Sequence, residues 1–272
     1  MAGSTYGTVF QITTWGESHG KALGAVIDGC PAGLPLTEKD IQIYLDRRKP
    51  GQTSISTPRK ESDQVEILSG VFEGKTTGTP LSLMIRNTSQ KSSDYSQIAS
   101  CYRPGHADYP FDAKYGFRDY RGGGRSSGRE TAGRVAAGAV ALKILSALGI
   151  SVCAYTESIG PVSINYDYFD ETAILTTPTC MPDAEASVKA ENYLKECQAA
   201  KDSSGGVIAC FVSGVPAGIG EPVFEKLDAS LAKAMLSIGA VKAFEMGDGI
   251  LASKRKGSEN NDSFFTENGL IQ

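Results

Sequence analysis

Polar and apolar residues alternate over residues 8–15, a spacing that predicts a strand, and the apolar run 23–27, closed by Gly29, predicts a second. Thr37, with Asp40 three residues later and apolar Ile41, Tyr44 and Leu45 behind it, predicts a capped helix. Residues 49–63 are polar and hold Pro, Gly, Ser and Thr, the pattern of a mobile loop. Residues 65–68 and 81–85 read as strands. From 87 to 125 there are few apolar side chains and many glycines and arginines, and so long an irregular stretch in a compact domain usually serves function. Residues 127–148 give the clearest helix. Ser127 and Glu130 have the spacing of a capping box, and the body is apolar almost all round, as in a helix buried on every side. Residues 150–155 predict a strand, 183–200 a helix, 207–212 a strand, and 223–238 a helix with Leu227, Leu231, Ala234, Met235 and Ile238 on one stripe.

A weak repeat runs through this pattern. Ala25-Val-Ile-Asp-Gly-Cys-Pro-Ala-Gly-Leu34 is similar to Cys210-Phe-Val-Ser-Gly-Val-Pro-Ala-Gly-Ile219, and each follows an apolar strand and precedes an amphipathic helix. Two structurally similar halves are implied, in one domain of 272 residues. A 40% apolar content supports a sizeable core, and a net charge of −4 gives no general attraction to nucleic acid or anionic membrane. No apolar run is long enough to span a bilayer, and the N-terminus lacks the pattern of a secretory signal. The six cysteines are scattered and form no CxxC, which points to reduced thiols in a cytoplasmic protein with no metal site.

Candidate chemistry sits in the glycine-rich loops. The only two histidines, His19 and His106, lie in Gly16-Glu-Ser-His-Gly20 and Arg103-Pro-Gly-His-Ala-Asp108, beside carboxylates and arginine, where proton transfer is a reasonable role. Six arginines (Arg103, Arg118, Arg121, Arg125, Arg129 and Arg134) fall within 32 residues, with Asp108, Asp112, Asp119 and Glu130 in the same window. Gly122-Gly-Gly124 leads into Arg125-Ser-Ser-Gly-Arg129 at the start of the apolar helix. Free N–H groups, the helix dipole and arginine forks together suit a phosphate or carboxylate there. The alternative is a solvated Arg/Gly loop or an RNA contact. Asp46-Arg-Arg-Lys49, at the end of the first helix, is by itself an ordinary dipole complement. Gly16-Glu-Ser-His-Gly20 also satisfies the G-x-S-x-G elbow of serine hydrolases, with Ser18 as nucleophile. That elbow requires a helix directly after the serine, whereas residues 23–27 read as strand. GxGxxG and P-loop motifs are absent, so any nucleotide-like cofactor is bound by other means.

Taken together these segments resemble the chorismate synthase family. Gly16-Glu-Ser-His-Gly20, running through Leu23-Gly-Ala-Val-Ile-Asp-Gly29 to Pro31, is similar to its first signature. Arg103-Pro-Gly-His-Ala-Asp108 and Asp119-Tyr-Arg-Gly-Gly-Gly-Arg-Ser-Ser-Gly-Arg-Glu-Thr131, continuing to Gly138, are similar to its second. Ser213-Gly-Val-Pro-Ala-Gly218, Glu221-Pro-Val-Phe224 and Gly247-Asp-Gly249 match further segments, so the likeness covers nearly the whole chain.

The resemblance implies conversion of 5-enolpyruvylshikimate 3-phosphate to chorismate and phosphate by anti 1,4-elimination with reduced FMN, NADPH serving only as reductant of the flavin. It implies His19 as proton donor near the departing phosphate and His106 against the flavin. Substrate binding falls to Arg48, Arg103 and Arg129, and further flavin contacts to Arg125, Ser126, Ser127, Gly239 and Ala240. The fold it implies is α+β, a central helical layer sandwiched between two antiparallel sheets, in a cytoplasmic homotetramer whose partner is a small-molecule substrate, without nucleic acid or membrane. Ser54 stands where many members carry arginine, with Arg59 and Lys60 as possible substitutes. The family's glycine-rich, lysine-proline and late Arg/Asp segments have no match before Gln272. The resulting expectation is a chain lacking its C-terminal portion that alone binds flavin weakly and turns over little.

Overall fold

The computed structural model describes residues 3–52, 61–88, 99–267 and 270–271, in two compact units, one through residue 216 and one from residue 217. The first unit opens with β1 (Thr5–Tyr6), β2 (Gln11–Gly16) and β3 (Ala22–Asp28), then α1 (Glu38–Arg48), β4 (Val65–Ser69), the small hairpin β5 (Val71–Phe72) and β6 (Lys75–Thr76), and β7 (Leu81–Arg86). α2 (Asp108–Tyr115) and α3 (Thr131–Ala147) follow. The main sheet has the order β1-β2-β3-β7-β4 and is antiparallel throughout.

Its core follows from the two-residue period of a strand. Leu23, Ala25 and Ile27 of β3 face Ile85, Leu83 and Leu81 of β7 in register, and all six are buried. Ile41 and Leu45 of α1 and Ala132, Ala136 and Val140 of α3 join the same cluster. Each buried Leu or Ile contributes roughly 1.5–3 kcal/mol. Asp40 accepts from both the backbone N–H and the hydroxyl of Thr37 (each 2.8 Å), which sets the start of α1 as the spacing predicts. Lys143 of α3 reaches the same carboxylate at 2.6 Å and, as its main influence, holds the Asp40 carboxyl below its ordinary range.

α3 rests directly on backbone of the sheet. A Cβ added at Gly133 would lie 2.6 Å from the carbonyl oxygen of Gly24 in β3. Gly133→Ala is therefore expected to cost about 1–3 kcal/mol by overpacking, read as a lower urea midpoint at unchanged slope. A variant as stable as the parent would contradict this packing.

Several expectations about helices are corrected. The α-helical part of 127–148 begins only at Thr131, after a 3₁₀ turn over Gly128–Glu130. Ser127 accepts from the Arg129 N–H (3.2 Å), while the Glu130 carboxylate goes to Thr14 (2.8 Å) and Arg134 (2.9 Å), so no reciprocal capping box forms. Nor is α3 buried on every side: Ala132, Gly133, Ala136, Ala137, Ala139 and Val140 are buried, but Val135, Leu142 and Ile144 only half so. The irregular stretch 87–125 contains α2, closed by Gly116 in the left-handed conformation. Its eight residues are too few and too exposed to leave an apolar period. Residues 53–60 and 89–98 of the expected loops lie outside the described residues.

A second sheet, ordered β10-β8-β9, is built from β8 (Ser151–Ile159), β9 (Val162–Ser163) and β10 (Gly206–Ser213). Between β9 and β10 lie α4 (Ala173–Thr176) and α5 (Ala184–Ala199), the latter capped by Asp183, which accepts from the Ala186 N–H at 3.0 Å. Tyr155, Ile164, Ile174, Met181, Ala186 and Ala190 form its core, and α3 touches β8 as well as the main sheet. The second unit contains α6 (Leu227–Leu236) and a short hairpin of β11 (Thr266–Glu267) and β12 (Leu270–Ile271). The helix expected over 223–238 starts later, because Glu221 donates to the Glu225 carbonyl (2.9 Å) in a tight turn ahead of it. The repeat seen in sequence has a backbone counterpart: Gly29 and Gly33, like Gly214 and Gly218 at the same offsets, have positive φ. The chain is thus a mixture of helices and antiparallel sheets, and among the described residues no helix is long and apolar enough to cross a membrane.

Candidate active site

β2 ends at Gly16 and β3 begins at Ala22, so Gly16-Glu-Ser-His-Gly20 has only a tight turn to occupy, closed by the Gly20 N–H on the Glu17 carbonyl (3.1 Å). The turn buries Ser18 and His19, whose Oγ and Nδ1 are 3.1 Å apart. A strand, not a helix, follows Ser18, so the geometry of a hydrolase elbow is absent. Gly122 backs onto the imidazole. It has φ +82°, and a Cβ there would fall 2.2 Å from His19 Nδ1, so both backbone and space demand glycine. The Gly122 carbonyl accepts from Arg103 Nη2 at 2.9 Å, which brings Arg103 to the histidine turn.

Arg103 is held in turn by Asp108, through Nε (2.9 Å), Nη2 (2.8 Å) and its own backbone N–H (2.9 Å). That hydrogen bonding, reinforced by the charge of Arg118, holds the Asp108 carboxyl well below its ordinary 3.8. A depressed folded-state pKa stabilises fully above the unfolded value and is lost as pH falls through the folded one. Asp108→Asn is therefore expected to unfold at lower denaturant than the parent at pH 7, with the gap narrowing only below about pH 4. A gap that persists unchanged in acid would contradict the ion pair.

A second group of charges lies across the same turn. Arg48, at the end of α1, donates Nη1 to Asp63 Oδ2 (2.7 Å) and Nη2 to the Gly128 carbonyl (3.1 Å). Arg129, 5% exposed, donates Nη1 to the other oxygen of the fully buried Asp63. Its Nε goes to Asn87 Oδ1 (2.8 Å), and Asn87 Nδ2 donates to the carbonyls of Glu17 (3.0 Å) and Gly20 (2.8 Å). One amide thus joins the buried arginine to the histidine turn. Arg129 Nη2 is buried, lies 3.9 Å from Glu61 and has no hydrogen-bond acceptor among the described residues. Buried guanidinium N–H groups that lack an acceptor are costly, and an anion would satisfy them.

The other arginines of the cluster are neutralised from within. Arg118 pairs with Asp112 (2.5 Å), Arg121 with Asp119 (2.6 Å), and Arg125 and Arg134 with Glu130 (3.6 and 2.9 Å). With Asp108 on Arg103 and Asp63 on Arg129, every arginine of the cluster faces a carboxylate, an arrangement unlike an open basic face for RNA. Arg125 also donates to the carbonyls of Gly16 (3.0 Å) and Thr14 (3.1 Å), so its fork ties the glycine-rich turn to β2. Ser126 is exposed and Ser127 caps the 3₁₀ turn. His106 is exposed in the turn after Arg103, with Nδ1 3.0 Å from the Pro104 carbonyl. A carbonyl only accepts, so Nδ1 carries the proton and Nε2 is left for another partner. Gly239 and Ala240 belong to the second unit, in the exposed turn after α6, where Ala240 has φ +69°. Ser54, Arg59 and Lys60 lie outside the described residues.

The family model described as chorismate synthase matches residues 10–270. The chain belongs to the chorismate synthase family. It is 67% identical to a chorismate synthase of Lachnoclostridium phytofermentans and 64% to one of Agathobacter rectalis, in each case over 100% of this chain and 74% of the relative. A chorismate synthase of Methanosarcina mazei is 52% identical over 100% of this chain and 75% of its own. A crystal structure of chorismate synthase superposes with a TM-score of 0.77 at 34% identity, over 96% of this chain and 76% of that one. Membership carries the family's activity, a lyase step of the shikimate pathway in aromatic amino acid biosynthesis.

Sequence reading missed several residues that hold this charged cluster together. Asp63 and Glu61 sit in a polar stretch with no period, and Asn87 directly follows a strand end. The available signal was charge balance: a buried arginine, Arg129, requires nearby carboxylates.

Proposed function

We propose that the protein converts 5-enolpyruvylshikimate 3-phosphate into chorismate and phosphate, with reduced FMN, at the site around His19, Arg48, Arg103 and Arg129. The observation that carries this reading is the meeting of Arg48 and Arg129 on one buried carboxylate beside the histidine turn, with N–H groups of Arg129 unclaimed. Fixed guanidinium forks in a water-poor site suit the anionic groups of the substrate and the charge that grows on the departing phosphate.

His19 is the proposed proton donor to that phosphate. The Ser18 hydroxyl can donate to Nδ1 and leave the proton on Nε2, or accept from the imidazolium. Asp119 and a charged His19 attract each other; after its main partner Arg121, that charge helps to keep the Asp119 carboxyl depressed.

The family uses reduced flavin, and the residues present fit one. His106 offers an exposed ring with Nε2 available, Ser127 keeps its hydroxyl proton, and Gly124 and Gly128 have open space where a Cβ would stand. His106, Ser126 and Ser127 would hold the flavin, with Arg125 shaping their turn; Gly239 and Ala240 are further proposed flavin-binding residues by family resemblance. When bound, reduced FMN supplies electron density as phosphate leaves and recovers it with a proton, so the reaction has no net redox change. NADPH serves only to reduce the flavin. We further propose a cytoplasmic homotetramer of one catalytic domain; exposed apolar residues on the second sheet, Val152, Val207, Ile208, Phe211 and Val212, support association.

The test is anaerobic mixing of the full-length protein with reduced FMN and substrate. Chorismate and phosphate in equal amounts are expected, and neither with oxidised flavin. No product with reduced flavin would contradict the reading.

A further inference from the structure

The geometry points to Asp63 as a positioning residue for this elimination, the internal counter-ion that sets Arg48 and Arg129 in place. The inference rests on the reading of those arginines as substrate-binding. Asp63 is 0% exposed and gives one oxygen to each: Oδ2 to Arg48 Nη1 at 2.7 Å, and Oδ1 to Arg129 Nη1. The two guanidiniums come from separate elements, the end of α1 and the turn before α3, and without a charge between them they would repel.

The carboxylate is itself held from outside the pair. Its backbone has φ +49°, a left-handed conformation that a non-glycine residue keeps only where its surroundings impose it. Gln42 of α1 imposes it from both sides, donating Nε2 to the Asp63 carbonyl (3.2 Å) and accepting the Val65 N–H (3.1 Å). Asp63 is therefore fixed by α1 and β4, and the arginine forks are ordered on it. Arg48 Nη2 then takes the Gly128 carbonyl and Arg129 Nε takes Asn87, so both forks have a single orientation before any ligand arrives. Such preorganisation removes an ordering cost from binding.

Asp63→Asn is the appropriate substitution, since asparagine matches the shape and also tolerates left-handed backbone. In the full-length protein with reduced FMN, KM for 5-enolpyruvylshikimate 3-phosphate is expected to rise about 10-fold or more while kcat falls less than about 3-fold, because the arginines hold the substrate's anions in ground and transition state alike. Added to Arg48→Gln, Asp63→Asn is expected to raise KM by a smaller factor than in the parent, because only the part acting through Arg129 remains to be lost. A merely structural role would give the same penalty in both backgrounds and leave KM of the folded protein unchanged, and either result overturns the proposal. An unchanged KM in Arg48→Gln alone would remove the underlying reading of Arg48; a raised KM there with an unchanged KM in Asp63→Asn would remove only the role of Asp63. If Asp63→Asn does not accumulate as folded protein, Gln42→Ala decides. It loosens the Asp63 turn while keeping the carboxylate, so a raised KM is expected, and an unchanged KM overturns the proposal.

Discussion

His19→Ala is expected to lower kcat for chorismate formation by roughly 10²- to 10⁴-fold, the range for losing a positioned general acid, with KM for the substrate nearly unchanged. The split follows from the structure. The arginine forks are held by Asp63, Asp108, Asn87 and backbone carbonyls, and none of the interactions described for them involves the imidazole. The fold should tolerate the change, since alanine at 19 removes only the ring that packs against Gly122 and leaves the backbone bond that closes the turn. Anaerobic single-turnover kinetics would separate loss of the chemical step from loss of binding. A variant that keeps more than about a tenth of the parent kcat would exclude His19 as the acid.

Arg129→Met is expected to destabilise the fold by about 3–5 kcal/mol, the usual consequence of removing one partner from a buried ion pair. Asp63 and Glu61 lie beside it, 0% and 5% exposed, and their charge would be left with Arg48 as the remaining described partner of Asp63. Asn87 would also lose the group that its Oδ1 accepts from, so the histidine turn should loosen as well. Urea denaturation would measure the loss. Arg129→Lys separates charge from shape: a single ammonium on a flexible stem cannot reach Asp63 and Asn87 together, so KM should stay raised even where stability partly recovers. A methionine variant of parental stability would show that the pair is not the anchor described.

The main strands and helices were legible in the sequence because their apolar residues keep one period. Leu23, Ala25 and Ile27 alternate, and Ile41 and Leu45 share one helical face, so burial follows from spacing. Thr37 and Asp40 marked the start of α1 because that bond is local. Ser127 and Glu130 had the same spacing and misled, because Glu130 finds stronger partners far away, Thr14 on β2 among them. Local patterns fail where tertiary contacts compete for the same side chain. The site divides in the same way. Histidines in glycine turns and an arginine cluster stand out as residue types, but which arginine is buried depends on carboxylates that only the fold brings in. Arg48 looked like an ordinary dipole complement at a helix end and instead turns inward to Asp63. Gly122 was visible only as one of three glycines, and its contact with His19 is a product of the fold.

The central claim, that one anion site is assembled from His19, Arg48, Arg103 and Arg129 around Asp63, is tested most directly by a crystal structure of the full-length protein with 5-enolpyruvylshikimate 3-phosphate and FMN. The expected result places anionic groups of the substrate within hydrogen-bonding distance of Arg48, Arg129 and Arg103, an acceptor on Arg129 Nη2, His19 facing the phosphate, and Asp63 still bridging its two arginines. Substrate bound away from these residues, or an Arg129 that leaves Asp63 to reach it, would contradict the claim.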